Sequence, residues 1–327
     1  MGNFLEREKT EQIAFKASSP TISEQARSDG FFRGKFRPFC LPQQYAEENL
    51  YPPIREDALQ FFRDKKISWH QGIADKPSNH LCDSQVCGIN FLFPFTTRPD
   101  ELAKLLKPIF PKIQRMLPVE NNLYVSFEWI GAKNYLGERV RGEGARTRGA
   151  NFTSTDAIVM FEDIEHQRQV VLIEWKYTES YSGNYLGIAD SGTDRRKIYE
   201  HLFDSPGCIV DLERVPDLDA LYFEPFYQFM RQQFLAAIME EAHELGADVV
   251  SVLHIAPRIN EDFARITSPR LIGLGNTATE VWEKMVKTEG RFISVKTEDI
   301  FGEFSSPIME DWITYIRTRY RWVTQKV

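Results

Sequence analysis

Three apolar stretches between residues 122 and 177 set the pattern of this chain. NLYVSFEWIG alternates well enough for a strand, TDAIVMF is strand-like, and QVVLIEWKY comes after the charged segment EDIEHQR. A charged connector between two strand-like runs predicts a hairpin. Side chains alternate across a strand, so Glu174 and Lys176 project from one face and Trp175 from the other. The run VVLI is continuously apolar, which predicts a strand covered on both faces rather than an exposed edge. In a paired hairpin Asp156, at the start of the first strand, lies beside the end of the second. Asp156, Glu174 and Lys176 then converge on one sheet face.

Helical spacing flanks this block. RPDELAKLLK is amphipathic up to Lys107, with Asp100 suited to an N-cap, and Pro108 and Pro111 interrupt the chain beyond it. IREDALQFFRDKK (residues 54–66) also has helical spacing. In EPFYQFMRQQFLAAIMEEAHEL, Phe226, Met230, Phe234 and Ala237 mark one helix face, while Gln228, Arg231 and Gln232 mark another. DVVSVLHIAP reads as a further strand. The order is therefore helix, three strands, helix, strand. Residues 1–30 are polar and predict a loose arm. FFRGKFRPFCLP alternates aromatic and basic positions; an arm packed through its phenylalanines is the simpler expectation, and stacking on nucleic acid the other. Residues 178–221 form a long Gly- and Asp-rich insertion centred on Arg195, Arg196 and Lys197. Three stretches result: an N-terminal arm and accessory region (1–95), a core (96–260) carrying the insertion, and a C-terminal extension (261–327) packed on the core.

Composition narrows the function classes. Hydrophobic residues make up 42% and aromatics 13% of the 327 residues, enough for a large core. The apolar runs are too short to span a bilayer, and MGNFLEREKTEQ carries no apolar signal segment, so a cytoplasmic protein without membrane contact is expected. Four cysteines in a chain of this length do not make a disulfide framework. His70, His80, Cys82 and Cys87 lack a zinc-site spacing; buried thiols and a hydrogen-bonded histidine are expected instead. No P-loop, dinucleotide fingerprint, zinc-protease helix or nucleophile elbow is present. The formal net charge of −7 means that any contact with nucleic acid must come from a local patch. The densest such segment is ERVRGEGARTRG, where Arg139, Arg141, Arg146 and Arg148 alternate with glycines just before the Asp156 strand.

An E-x-K triplet at a strand end is ordinarily a solvated ion pair of little value. Here it ends a buried strand beside a second carboxylate. Two carboxylates can hold a hard divalent cation, and an adjacent ammonium can orient or polarise a water, which is equipment for phosphodiester hydrolysis. Thr155-Asp156 followed by Glu174-x-Lys176, set in RGANFTSTDAIVMF…VVLIEWKYTESY and followed by FYQFMRQQFLAAIME, resembles the PD-(D/E)xK nuclease superfamily, and within it a group of bacterial restriction-endonuclease-like proteins. The resemblance reaches back to NHLCDSQVCGINFLFPF. Thr155 stands where the name-giving proline would be, a residue that contacts no metal.

The resemblance implies an α/β fold: a restriction-endonuclease-like αβββαβ core whose central mixed sheet is flanked by helices, with N- and C-terminal elaborations. It implies a Mg²⁺- or Mn²⁺-dependent nuclease in which Asp156 and Glu174 bind the ion with the Trp175 carbonyl, and Lys176 sits beside the attacking water or the phosphate. A third acid from upstream is expected; Glu138 is the first choice, with Glu128 and Glu143 as alternatives. Gln228 resembles the polar residue that many members carry on the following helix, where it hydrogen-bonds phosphate or water; Arg231 and Gln232 either share that role, with Arg231 on nucleic acid, or simply cap the helix surface. The implied partner is double-stranded DNA, with a homodimer left open. The competing classes are a nucleic-acid-binding or scaffold protein that keeps the fold without catalysis, and a nuclease directed at RNA.

Overall fold

The structure, a computed structural model, describes residues 4–138, 146–150 and 152–325. In chain order the main elements are α1 (Phe4–Ser18), a hairpin of β1 (Gly30–Phe32) and β2 (Lys35–Arg37), α2 (Arg55–Asp64), α3 (Ser84–Leu92) and α4 (Pro99–Leu106). The strands β3 (Ile113–Leu117), β4 (Val125–Trp129), β5 (Thr155–Asp163) and β6 (Arg168–Trp175) come next. Then come α5 (Arg196–Phe203), α6 (Phe226–Glu241), β7 (Val249–Ala256), α7 (Glu261–Ala264), α8 (Ala278–Met285), β8 (Phe292–Lys296) and α9 (Glu310–Arg319).

Six strands form one mixed sheet in the order β3-β5-β6-β7-β8, with β4 also pairing β5. The pairs β3·β5, β4·β5 and β5·β6 are antiparallel, while β6·β7 and β7·β8 are parallel. The β5–β6 turn is closed by Asp163, whose Oδ1 accepts from the backbone N–H groups of Glu165 (2.9 Å) and Gln167 (3.0 Å). A carboxylate that caps its own turn in this way is a local reason for the hairpin. Strand alternation then divides the core. Ala157, Val159, Val171, Ile173 and Trp175 join one apolar cluster with residues of α1, α2, α3, α4 and α9. Ile158, Met160, Val170 and Leu172 join another with residues of α5, α6 and α8. Both faces of β6 are thus covered, as its unbroken apolar run predicts, and the fold is the expected α/β one with a central mixed sheet flanked by helices.

Several elements differ from the sequence expectation. Residues 4–18 are a helix rather than a loose arm, and its buried residues include Glu8, Gln12 and Lys16. Its buried side is largely polar, so no amphipathic stripe marked it. Those side chains are satisfied inside the fold: Tyr177 donates its hydroxyl to Glu8 Oε2 (2.7 Å), and Gln12 Nε2 donates to the Arg319 carbonyl (3.0 Å). Helix α4 begins at Pro99, so Asp100 lies in its first turn instead of capping it. Strand β3 lies between Pro111 and Pro118, where only an interruption was expected. Strand β8 lies in the C-terminal extension; it is short and mostly half-buried, which leaves a weak alternation signal. The four cysteines are free and buried, and His80 Nδ1 accepts from the Cys82 backbone N–H (3.1 Å). No helix is long and apolar enough to cross a membrane among the described residues.

Candidate active site

The sheet carries a row of polar residues at one level. Glu174 on β6 pairs with His254 on β7, and His254 with Ser294 on β8. The β5–β6 ladder runs to Ala157–Ile173, so its next position brings Asp156 beside Glu174. On β4, Glu128 falls between the pairs Phe127–Ala157 and Trp129–Thr155, which sets it beside Asp156. Glu128 has φ of 51°, a left-handed conformation uncommon outside glycine. A break of this kind in a strand re-aims one side chain. Three acids from three adjacent strands therefore meet where β5 begins and β6 ends.

Each acid is held by named partners. Asp156 Oδ2 accepts from the Trp175 backbone N–H (2.7 Å). Lys176 Nζ donates to Glu174 Oε1, and Gln232 Nε2 on α6 donates to Glu174 Oε2. Gln85 Nε2 on α3 donates to Glu128 Oε1 (2.7 Å), and Ser154 Oγ to Glu128 Oε2 (2.9 Å). The site thus lies between α3 and α6. Trp175 anchors its floor, packing on Phe91 with ring centroids 4.8 Å apart. A cavity of about 10 Å³, about one water in size, lies against Asp156, Glu128, Gln85 and Trp175.

Charge is unbalanced here, with three acids beside one lysine. Burial, then the Glu174 charge, push the Asp156 carboxyl well above the ordinary carboxylate range, although its side chain keeps some accessible surface. Lys176 and the Trp175 N–H oppose that shift, and Glu128 adds to it. Glu128 is also raised, first by burial, with Gln85 and Ser154 opposing and Glu174 contributing. Burial alone would lower the Lys176 ammonium, but Glu174, Tyr181, Glu179 and Asp156 hold it above its usual value. Lys176 therefore stays charged. His254 is held well below its usual value by burial and by the cations Lys176 and Lys296, and so stays neutral.

Several other residues expected at the site have their partners elsewhere. Glu138 accepts from the Thr153 N–H and hydroxyl (both 2.6 Å) and from the Tyr199 hydroxyl (2.8 Å), so its oxygens are engaged away from the acidic row, where Glu128 stands instead. Gln228 accepts from the Tyr181 hydroxyl (3.3 Å); Gln232, one turn later, reaches Glu174. Arg231 lies 3.9 Å from Glu138 and over the Tyr227 ring, turned inward rather than offered to a phosphate. Arg146 donates to the Ile130 and Gly131 carbonyls, and Arg148 to Glu120, Ser126 and the carbonyls of Glu128 and Phe127. These two guanidinium groups brace β4 from inside. Arg139, Arg141 and Glu143 lie outside the described residues.

A restriction-endonuclease-like topology with an acidic row at its strand ends agrees with what the sequence matches. Residues 10–321 match the family described as Restriction Endonuclease associating with ARP. The chain belongs to that family. No curated protein matches it, and neither does any solved structure. The restriction-endonuclease-like family thus accounts for almost the whole chain, including the second part of α1 and all of α9, and not only for the β5–β6 block.

A divalent cation can be tested against these residues. Among the described residues, no group of three or more His, Cys, Asp or Glu side chains is drawn together tightly enough to hold an ion. The donor chemistry nevertheless suits a hard cation: all three acids offer oxygen, and their mutual repulsion is what a positive ion relieves. Asp156 has one oxygen without a protein partner among the described residues. Gln232 Oε1 is buried and also lacks a partner among them. Asp156 and Glu174 would hold the ion, with Glu128 lending charge.

Proposed function

We propose that this chain is a metal-dependent nuclease that hydrolyses phosphodiester bonds in DNA, with Asp156, Glu174 and Lys176 as the reacting groups. The observation that carries this reading is the excess of acid at the strand ends: Glu128, Asp156 and Glu174 at neighbouring positions of three strands, with Lys176 paired to Glu174. A fold maintained only for stability gains nothing from crowding acids until their pKa values rise, whereas an active site does. When bound there, Mg²⁺ or Mn²⁺ supplies Lewis-acid polarisation of the scissile phosphate and a bound water of lowered pKa. The chain's own residues do the rest. Lys176, kept charged and held by Glu174, presents a compact ammonium to the negative charge that develops on the phosphate. Gln232 fixes the other Glu174 oxygen, while Gln85 and Ser154 fix Glu128, so the acids are oriented before substrate arrives. DNA is the substrate that a restriction-endonuclease-like family suggests, and RNA is the comparison to run beside it.

The deciding experiment is a cleavage assay on labelled duplex DNA, single-stranded DNA and RNA, with Mg²⁺ or Mn²⁺ and with a chelator. Cleavage of DNA that stops in chelator, and that falls on the order of 10³-fold in Glu174→Gln, is the expected result. Cleavage by Glu174→Gln at the wild-type rate would sink the assignment. A wild-type protein that binds DNA and never cleaves it would move the chain to the non-catalytic class.

A further inference from the structure

The β1–β2 hairpin is built to be seen from outside. Its two strands pair Gly30 with Arg37, Phe31 with Phe36 and Phe32 with Lys35, and its tip residues Arg33 and Gly34 have φ of 46° and 79°. Two successive positive φ values make a tight two-residue hairpin turn. Phe36 is 70% exposed and Phe31 54%, and their rings meet edge to face at 5.4 Å. Exposed aromatic pairs of this kind are unusual unless they contact something. The segment GFFRGKFR holds three cations and no acid, in a chain whose net charge is −7. Arg33 and Lys35 are exposed and Arg37 half-buried, and none of the three pairs with a carboxylate among the described residues. Arg33 lies over the Phe32 ring at 5.2 Å.

The hairpin is also firmly rooted, which an accidental loop would not be. Gly30 N–H donates to the Cys40 carbonyl (3.1 Å), and Asn79 Nδ2 donates to the carbonyls of Phe31 (3.2 Å) and Leu41 (2.6 Å). The buried Lys16 donates to the carbonyls of Cys40 (3.1 Å) and Ser28 (3.2 Å). Phe32 and Phe39 each pack on His80 with centroids 4.9 Å apart. A lone two-stranded hairpin is marginal in water, so this root is what lets the tip present its rings. The root also connects to the candidate active site. The Cys82 carbonyl, two residues after His80, accepts from the hydroxyl of Thr178, two residues after Lys176 (3.1 Å).

We infer that residues 30–37 form a contact for single-stranded nucleic acid, with Arg33, Lys35 and Arg37 on phosphates and Phe31 and Phe36 against unpaired bases. Cations without acids select a polyanion, and exposed ring faces select bases that are not already stacked in a duplex. The inference extends the nuclease reading to the form of its substrate, but its test involves no cleavage. Binding of the full chain is measured in chelator, by fluorescence anisotropy, on a labelled single-stranded oligonucleotide and on a blunt duplex of the same sequence.

Replacing Arg33, Lys35 and Arg37 together with Ala should lower the slope of log affinity against log salt by about 2 on the single strand, at roughly 0.7 per phosphate contact. Phe31→Ser with Phe36→Ser should weaken single-strand binding at least about tenfold and leave that slope in place. Its effect on the blunt duplex should be smaller. Phe36→Ser alone, at the more exposed ring, covers the case in which the double variant fails to fold. Wild-type affinity and slope in these variants would overturn the inference, as would equal losses on single strand and duplex in the phenylalanine variants. A wild-type chain without nuclease activity would leave this result standing, and a silent hairpin would leave the cleavage result standing.

Discussion

Adjacent residues of α6 serve two different buried acids: Gln232 donates to Glu174, and Arg231 lies 3.9 Å from Glu138. Around Glu138 the carboxylate itself is fully engaged. One carboxylate faces one guanidinium, and Thr153 and Tyr199 fill its remaining acceptor positions. Around Glu174 the charges do not balance, because Asp156 and Glu128 add two more acids against the single Lys176. Both clusters place an acid and a cation close together in the sequence or the fold, and either could be taken for a site from residue types alone. The difference lies in what remains unsatisfied. A carboxylate with its acceptor positions filled contributes to the fold, while crowded acids whose pKa values are pushed up by burial and by one another mark a place where a cation can relieve the repulsion.

The largest expected effect comes from removing the one cation of the unbalanced cluster. Lys176→Ala should abolish turnover and also destabilise the protein by about 3–5 kcal/mol, because it leaves the buried Glu174 without its cation. Lys176→Arg should restore much of the stability and little of the turnover, since a planar fork does not replace a compact ammonium. Denaturant unfolding paired with the cleavage assay checks both; full activity in Lys176→Ala would remove the contrast between the two clusters.

The Glu138 cluster should respond in stability alone. Glu138→Gln should cost about 2–3 kcal/mol by leaving the partly exposed Arg231 without its acid, with the cleavage rate per folded molecule unchanged. A stable Glu138→Gln protein that had lost activity would show that Glu138 belongs with the reacting groups after all.

A third buried acid supplies the effect that is smallest at any one pH step, read as a slope. Glu8 is raised from 4.5 to about 7, chiefly by burial, with the Tyr177 hydroxyl and Arg7 opposing. A folded pKa above the unfolded one means that the native state holds the proton longer. The contribution is therefore complete below about pH 4.5 and is lost as pH rises through about 7, at roughly 1 kcal/mol per pH unit in that window. Glu8→Gln should remove that part of the decline in thermal stability between pH 4.5 and 7, leaving the rate of cleavage alone. An identical pH–stability curve in wild type and variant would place Glu8 outside the linkage.

Geometry decides how much of the site is legible in the sequence. Asp156, Glu174 and Lys176 were legible because strand alternation and a short hairpin bring them together by local rules. Gln228 and Gln232 stand one turn apart on the same helix face, so spacing could not rank them. Their partners did, with Tyr181 beside one and Glu174 beside the other. Glu128 and Glu138 differ by a loop whose path no local pattern reports, and the left-handed backbone at Glu128 lies within the β4–β5 pairing, which no local pattern reports either. The arginines point the same way. Arg146 and Arg148 look like a phosphate cradle in the sequence, yet the fold spends their donors on the carbonyls of Phe127, Glu128, Ile130 and Gly131, on Ser126 and on Glu120.

The sequence by itself determined the α/β class, the β5–β6 hairpin, the covered strand with its terminal Glu174 and Lys176, and the helix α6 that packs behind them. Each arises from periodicity and turn chemistry within a few residues. Only the tertiary structure decided that α1 is a helix with a polar buried side, that β3 and β8 complete the sheet, that Glu128 rather than Glu138 joins the acidic row, and that Phe31 and Phe36 face outward. Those outcomes depend on partners distant in the chain: Tyr177 and Arg319 for α1, β7 for β8, Gln85 and Ser154 for Glu128, Asn79 and Lys16 for the hairpin root. A polar side chain is buried or exposed according to whether a donor or acceptor waits for it, and that partner is supplied by the fold, not by its neighbours in sequence.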